Sequence, residues 1–373
     1  MKKLNLRLVF ITLCAGYVLV TGCELISVPS PATIAAETSA PPPTSAPPVT
    51  PQAPGSTPAP PSHRLPVFFD DDGSPDGTAA LFYLLSHPNV SVAAISISYG
   101  EAYPDVYIQH IGRELDSLGI RGIPLGAGQS APLAGSNAFP EALRQGANDF
   151  WGWPIPNADR TYPAQDAADL MVSVITQSPE PITVFVSGPL TNLAQALRND
   201  PGIGENIAAV YIMGGAVYVP GNISDLLADS GNTVAEWNIY GDPPAASEVF
   251  EAGLTIYLVP LDATNQVGVG RDDTAQWREG GGAADFAADI YDSLLNNWGV
   301  EEAAIWDLMT AAIMTRPDLC GFEALHLDVI TAEGPTSGQT VPADGDPNVG
   351  VCLRSDADEI RQTLIDVFSG DVR

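Results

Sequence analysis

From residue 65 onward, short apolar runs alternate with amphipathic stretches. Residues 67–69, 90–98, 123–125, 182–186, 207–213 and 254–259 are short runs dominated by apolar, largely branched or aromatic side chains, and each predicts a strand. Residues 78–86, 107–118, 165–177, 190–198 and 243–251 carry helical spacing, with Ile108, Ile111, Leu115 and Leu118 marking one such face. Further helices are expected at 283–296, 301–314 and 357–368, and residues 325–331 and 349–354 predict two late strands that pair. Strand and helix in this alternation predict an α/β fold with a doubly wound, mostly parallel sheet. Ligands of such sheets bind beyond the carboxyl ends of the strands. Residues 70–76, Ser187-Gly188-Pro189 and Gly214-Gly215 all fall at such ends.

The first 64 residues follow a different pattern. Lys2, Lys3 and Arg7 precede an almost wholly apolar run over residues 8–20, too short for a comfortable membrane span. The run ends in Val20-Thr21-Gly22-Cys23, which resembles a bacterial lipobox. Residues 1–22 are therefore expected to be a lipoprotein signal, with Cys23 the lipidated residue. Residues 23–64, rich in Pro, Ser, Ala and Thr, predict an extended linker. The folded unit is expected to occupy residues 65–373. This organisation implies an extracytoplasmic bacterial lipoprotein that touches the membrane only through its lipid.

Charge narrows the partners. The formal net charge of the 373-residue chain is −30, and Lys2 and Lys3 are its only lysines. Such a surface repels nucleic acid polymers and anionic membranes, leaving small molecules as the expected ligands. Assembly with further copies of the chain is compatible with this reading. Cys320 and Cys352 are the only cysteines beyond residue 23. They suit either a disulfide or two buried thiols, and their number gives no metal-site spacing.

The candidate chemistry is concentrated in residues 66–82, Pro-Val-Phe-Phe-Asp-Asp-Asp-Gly-Ser-Pro-Asp-Gly-Thr-Ala-Ala-Leu-Phe. Asp70, Asp71, Asp72 and Asp76 crowd one strand-to-helix loop. Like charges this close repel, more so when buried, and a hard cation such as Ca2+ or Mg2+ relieves the repulsion. A turn that only capped the next helix would need fewer acids. Asp70-Asp71-Asp72-Gly73-Ser74 resembles the nucleophile motif of haloacid-dehalogenase-type phosphatases. That chemistry uses a downstream lysine, which the chain lacks.

The loop also resembles the opening motif of the inosine-uridine preferring nucleoside hydrolase family, Asp-x-Asp-x-x-x-Asp-Asp. Asp70, Asp72 and Asp76 match its first three acids, and Thr78-Ala79-Ala80-Leu81 fixes the register. Gly77 stands at the fourth, a metal ligand in the family, so that either Asp70 or Asp76 shifts to compensate or the metal is held more weakly. The likeness continues in order through Ser187-Gly188-Pro189-Leu190-Thr191-Asn192, Ile212-Met213-Gly214-Gly215, Asn222, Glu236-Trp237-Asn238-Ile239 with Asp242-Pro243, and Trp306-Asp307. It covers roughly residues 65–370.

The resemblance implies hydrolysis of the N-glycosidic bond of ribonucleosides, assisted by Ca2+. Asp72 would be general base and metal ligand. Asp70, Asp76, Asp307 and the Ser187 carbonyl would complete the metal set. Asp76, Asn222, Glu236 and Asn238 would hold the sugar. Trp306 stands where many members carry a histidine acid. It is similar to the purine-preferring branch, which stacks the base between aromatic rings. Trp151, with Trp153 nearby, would supply the second ring, and Glu101 an acid near the pocket. Asp71 receives no role. Two alternatives remain, a haloacid-dehalogenase-type phosphatase and a nucleoside-binding lipoprotein without turnover.

Overall fold

The computed structural model describes residues 64–372. The expected signal, Cys23 and the linker through residue 63 lie outside the described residues.

The strands are β1 (Leu65–Asp71), β2 (Val90–Ile97), β3 (Leu125–Ala127), β4 (Gln165–Asp166), β5 (Ile182–Ser187), β6 (Ile207–Met213), β7 (Ile256–Val259), β8 (Gly268–Gly270), β9 (Glu302–Ala304), β10 (Cys320–Leu325), β11 (Leu327–Val329), β12 (Thr340–Pro342) and β13 (Val349–Ser355). The helices are α1 (Pro75–Ser86), α2 (Pro104–Ser117), α3 (Glu141–Asn148), α4 (Ala167–Gln177), α5 (Thr191–Asn199), α6 (Ile223–Leu226), α7 (Trp237–Gly241), α8 (Pro243–Glu251), α9 (Leu261–Thr264), α10 (Arg271–Trp277), α11 (Ala283–Trp298), α12 (Trp306–Thr315) and α13 (Ala357–Ser369).

Nine strands form one sheet in the order β10-β13-β7-β6-β5-β1-β2-β3-β4. All neighbours in it run parallel except the β10–β13 pair at the edge. The chain winds outward from β1 to β4, then returns to β5 on the other side of β1. Strand order therefore reverses at β1, whose carboxyl end opens into the crevice where such sheets bind ligands. Side-chain alternation along β1 feeds two cores. Phe69 belongs to the buried cluster that holds Phe82, Trp277, Tyr291 and Phe368 on the α1 and α11 face. Phe68 belongs to the cluster that holds Val184, Leu193, Ile212 and Phe250 on the α5 and α8 face.

Several elements differ from the sequence pattern for identifiable reasons. Strand β1 extends to Asp71 because both neighbours pair with it there, Asp71 lying opposite Ile97 and Ser187. Helix α1 begins at Pro75 rather than residue 78. Ser74 is its N-cap, accepting from the Gly77 N–H at 2.9 Å, and proline suits the first helical position. Residues 302–304 form a strand, not helix, by pairing with β8. The late hairpin forms earlier than expected: β10 pairs with β13 and ends at Leu325 opposite Val349. The Asn348 amide then bonds both the N–H and the C=O of Leu327, standing in for a strand partner. Strand β11 turns away to pair with β12. Cys320 and Cys352 form a disulfide that joins β10 to β13.

Candidate active site

The carboxyl end of β1 carries three consecutive aspartates, all buried. Alternation sends the first two to opposite faces. Asp70 follows Phe68 toward α5, where its Oδ1 accepts from Ser96 Oγ at 2.5 Å and Asn192 Nδ2 at 2.8 Å. Asp71 follows Phe69 toward α1. Its Oδ1 accepts from Ser187 Oγ at 2.9 Å and its Oδ2 from the Gly73 N–H at 3.0 Å. Asp72 lies just past the strand, its Oδ2 accepting from the Glu101 N–H at 3.2 Å.

Helix α1 adds Asp76 in its first turn, where the helix dipole favours a negative charge. Asp76 Oδ2 accepts from the Asp307 N–H at 3.0 Å, and Asp307 Oδ2 accepts from Ser74 Oγ at 2.9 Å. The start of α12 is thereby tied to the start of α1, although 231 residues separate Asp76 from Asp307. Ser74 both caps α1 and orients Asp307, so the aspartates are not needed as caps.

Asp71, Asp72, Asp76, Glu101 and Asp307 form one electrostatic unit. Burial pushes the pKa of all five carboxyls upward, Asp71 to about 7 and Asp72, Glu101 and Asp307 well above the usual range, and the charges of Asp71 and Asp76 push their neighbours up further. Asp70 is pushed up to about 7 by burial, opposed by its Ser96 and Asn192 hydrogen bonds. The structure thus sets Asp70 apart from the expected metal set and brings Asp71 into the cluster. Among the described residues, no arginine or histidine forms an ion pair with any of the five.

The donor chemistry fits a hard divalent cation. Carboxylates are its preferred ligands, and a bound cation would remove the repulsion that now favours protonated forms. Among the described residues no three such side chains are already drawn around one point; the carboxylates of Asp71, Asp72, Asp76 and Asp307 are instead held by the neighbours named above. Ser187, whose carbonyl the sequence offers as a ligand, ends β5 opposite Asp71 and donates its hydroxyl to Asp71 Oδ1.

The expected sugar contacts are arranged on the far side of β5. Glu236 caps α7, accepting from the backbone N–H groups of Asn238, Ile239 and Gly215. Burial pushes its carboxyl up to about 7, those backbone donors opposing the shift. Asn238 Nδ2 donates to the Met213 carbonyl at 3.0 Å. Glu236, extended at the N-cap, and Asn238 in the first turn of α7 together clasp the Met213-Gly214-Gly215 strand end. Asn222 Oδ1 is buried without a hydrogen-bond partner, an acceptor left open for a donor such as a ribose hydroxyl.

The aromatic residues divide. Trp306 opens α12, partly exposed, with its indole N–H 3.3 Å from Asn265 Oδ1 and its ring against Met213, Ala216 and Leu261. Trp151 is not a free stacking ring: its indole N–H donates to the Gly73 carbonyl at 3.0 Å, bracing the acidic loop. Trp153, partly buried, packs on Phe150 and Phe286 at the edge of the core. Sequence reasoning missed Ser74, Asn192 and Asp71. Strand parity was the available signal for Asp71, since it shares a face with Phe69.

Fold and site define an α/β enzyme that works with carboxylates at the switch point of a parallel sheet, and similar solved structures are nucleoside hydrolases. The purine-preferring ribonucleoside hydrolase from Gardnerella vaginalis superposes with a TM-score of 0.72 at 25% identity, covering 82% of this chain and 98% of that one. The inosine-uridine preferring nucleoside hydrolase from Bacillus anthracis gives 0.70 at 29% identity, with 82% and 99% covered. The pyrimidine-specific ribonucleoside hydrolase RihA of Citrobacter koseri is 30% identical over 316 residues, 82% of this chain and 97% of that protein. The inosine-uridine preferring nucleoside hydrolase profile matches residues 67–362, and the chain belongs to that family. It is a ribonucleoside hydrolase, as the sequence resemblance implied.

Proposed function

We propose that this hydrolase is Ca2+-assisted, uses Asp72 as general base and prefers purine ribonucleosides. The observation that carries the reading is the gathering of buried Asp71, Asp72, Asp76 and Asp307 with partly buried Glu101 at the switch point, none of them in an ion pair with an arginine or histidine of the described residues. Bound Ca2+ would offset that charge, lower the pKa of a water and accept ribose hydroxyls. Asp72 takes a proton from the attacking water as the oxygen–C1′ bond forms and the C1′–nitrogen bond breaks. The departing base gains a proton from solvent or from a nearby acid such as Glu101, and the sugar passes through an oxocarbenium-like state. Asp307 and Ser187 orient the acidic loop, and Asn222, Glu236 and Asn238 address the sugar hydroxyls.

The purine preference rests on Trp306, an indole at the rim of the site able to stack on a leaving base. The C. koseri relative is named pyrimidine-specific and the G. vaginalis structure purine-preferring, so the names of relatives point both ways. A lipid anchor at Cys23 and an extracytoplasmic location complete the reading and rest on the sequence alone.

Ribose release from inosine, guanosine, adenosine, uridine and cytidine, with Ca2+ present, tests it directly. Release should be fastest from a purine nucleoside; faster release from uridine refutes the base preference, and binding without release points to a degenerate binder. Asp72→Asn should lower kcat by about 10²- to 10⁴-fold while leaving thermal unfolding unchanged. Full activity in that variant removes Asp72 from the role.

A further inference from the structure

Gly77 occupies the first turn of α1 with ordinary helical backbone, so nothing in its φ requires glycine. Space does. A Cβ built at residue 77 would fall 1.9 Å from Asp71 Oδ1 and 2.8 Å from Asp71 Cγ, with Ser74 Oγ at 2.7 Å. The carboxylate of Asp71 therefore fills the volume that a side chain at position 77 would take. It reaches there from the α1-facing side of β1 and is held by Ser187 Oγ and the Gly73 N–H. Its charge acts on Asp72, Glu101 and Asp307. A carboxylate borne on the strand and a glycine on the helix thus form a complementary pair. The family motif has the acid on the helix instead.

We infer that Asp71 is a cation ligand of this site, delivering from β1 the carboxylate that position 77 lacks, and that Gly77 is the space this carboxylate needs. The inference rests on the proposed divalent-cation site. Asp70, which the sequence offers as a compensating acid, is on the other face of the sheet, where its Oδ1 accepts from Ser96 and Asn192 and its Oδ2 is buried without a partner, away from the space at residue 77. Asp76 keeps its own contact with the Asp307 N–H. Asp71 alone of the three stands where the missing side chain would be.

The test is calorimetric titration of CaCl2 into the EGTA-stripped full chain. Four proteins are compared: the parent, Asp71→Asn, Gly77→Asp, and the double variant Asp71→Thr with Gly77→Asp. Asn is isosteric with Asp, so thermal unfolding in EGTA should stay at or above that of the parent, and Ca2+ affinity should fall on the order of tenfold or more. Gly77→Asp alone should not tighten binding, because two carboxylates would compete for one space. The double variant, with the acid returned to the helix, should recover affinity. Parent-like Ca2+ affinity in Asp71→Asn overturns the inference whether or not the double variant folds. A parent that binds no Ca2+ overturns the cation site itself, a distinguishable outcome.

Discussion

A methyl group at Gly100 should disable the site by displacing Asp72. Gly100 lies between Tyr99 and Glu101, in the segment that wraps Asp72 through the Glu101 N–H. Its φ is not in the left-handed region, so Gly100→Ala adds steric conflict without backbone strain. The new Cβ would sit 2.2 Å from Asp72 Oδ2 and 2.4 Å from Asp72 Cβ. A relaxed carbon–carbon contact is about 3.5 Å, so Asp72 or its neighbour must move by roughly 1 Å. Misplacement of that size costs about 100-fold in rate, and overpacking costs about 1–3 kcal/mol of stability. Gly188→Ala presses the same residue less, with its Cβ 2.7 Å from Asp72 Cβ and from Ser98 Oγ. Gly321→Ala meets nothing within 4 Å and serves as the control. Steady-state ribose release and denaturant unfolding of the three variants should rank them Gly100, Gly188, Gly321 from most to least impaired. A Gly100→Ala enzyme within about twofold of the parent kcat refutes the reasoning that a fixed Asp72 is required.

Replacing both Cys320 and Cys352 by Ser opens a link across 32 residues and should cost roughly 3–4 kcal/mol in urea unfolding, with kcat unchanged because the bond joins the far edge of the sheet. Glu236 has its carboxyl raised from 4.5 to about 7 by burial, so its neutral form favours the fold. That contribution is complete below pH 4.5 and is lost as pH rises through 7. Glu236→Gln should therefore flatten the fall in stability of the EGTA-treated chain across this window; an unchanged slope by denaturant titration at each pH refutes the assignment. Trp306→Ala should lower kcat/KM for inosine by about tenfold and for uridine by less, as loss of a stacking surface predicts. Equal loss on both substrates removes Trp306 from base selection.

The alternation of apolar runs and helical stretches carried the doubly wound sheet, because buried parallel strands leave a plain pattern of Val, Ile and Phe. It did not carry the ends. Asp70 and Asp71 read as loop residues because carboxylates rarely sit in central strands, yet pairing on both sides draws them into β1. The two-residue β4 has too short a pattern to register, and the helix expected from residue 165 begins at Ala167 behind the Asp166 cap. Of the site, Asp72, Asp76 and Asp307 were legible through motif order, and the structure gathers them. Glu101 was legible only as a neighbour of the pocket. Asp71 was hidden because matching motif letters gave it no counterpart, whereas its face of the strand, a three-dimensional property, decides what it touches. Trp151 read as a stacking ring because its indole bond to Gly73 crosses 78 residues of chain.

That indole bond gives the protein an optical gauge. Trp151 is attached at one point to the backbone of the acidic loop, so any rearrangement of Gly73 alters the polarity and hydrogen bonding around a fluorophore the chain already owns. A change in the state of the loop can thus be followed by emission without label or substrate, and Trp151→Phe identifies which part of the signal belongs to it.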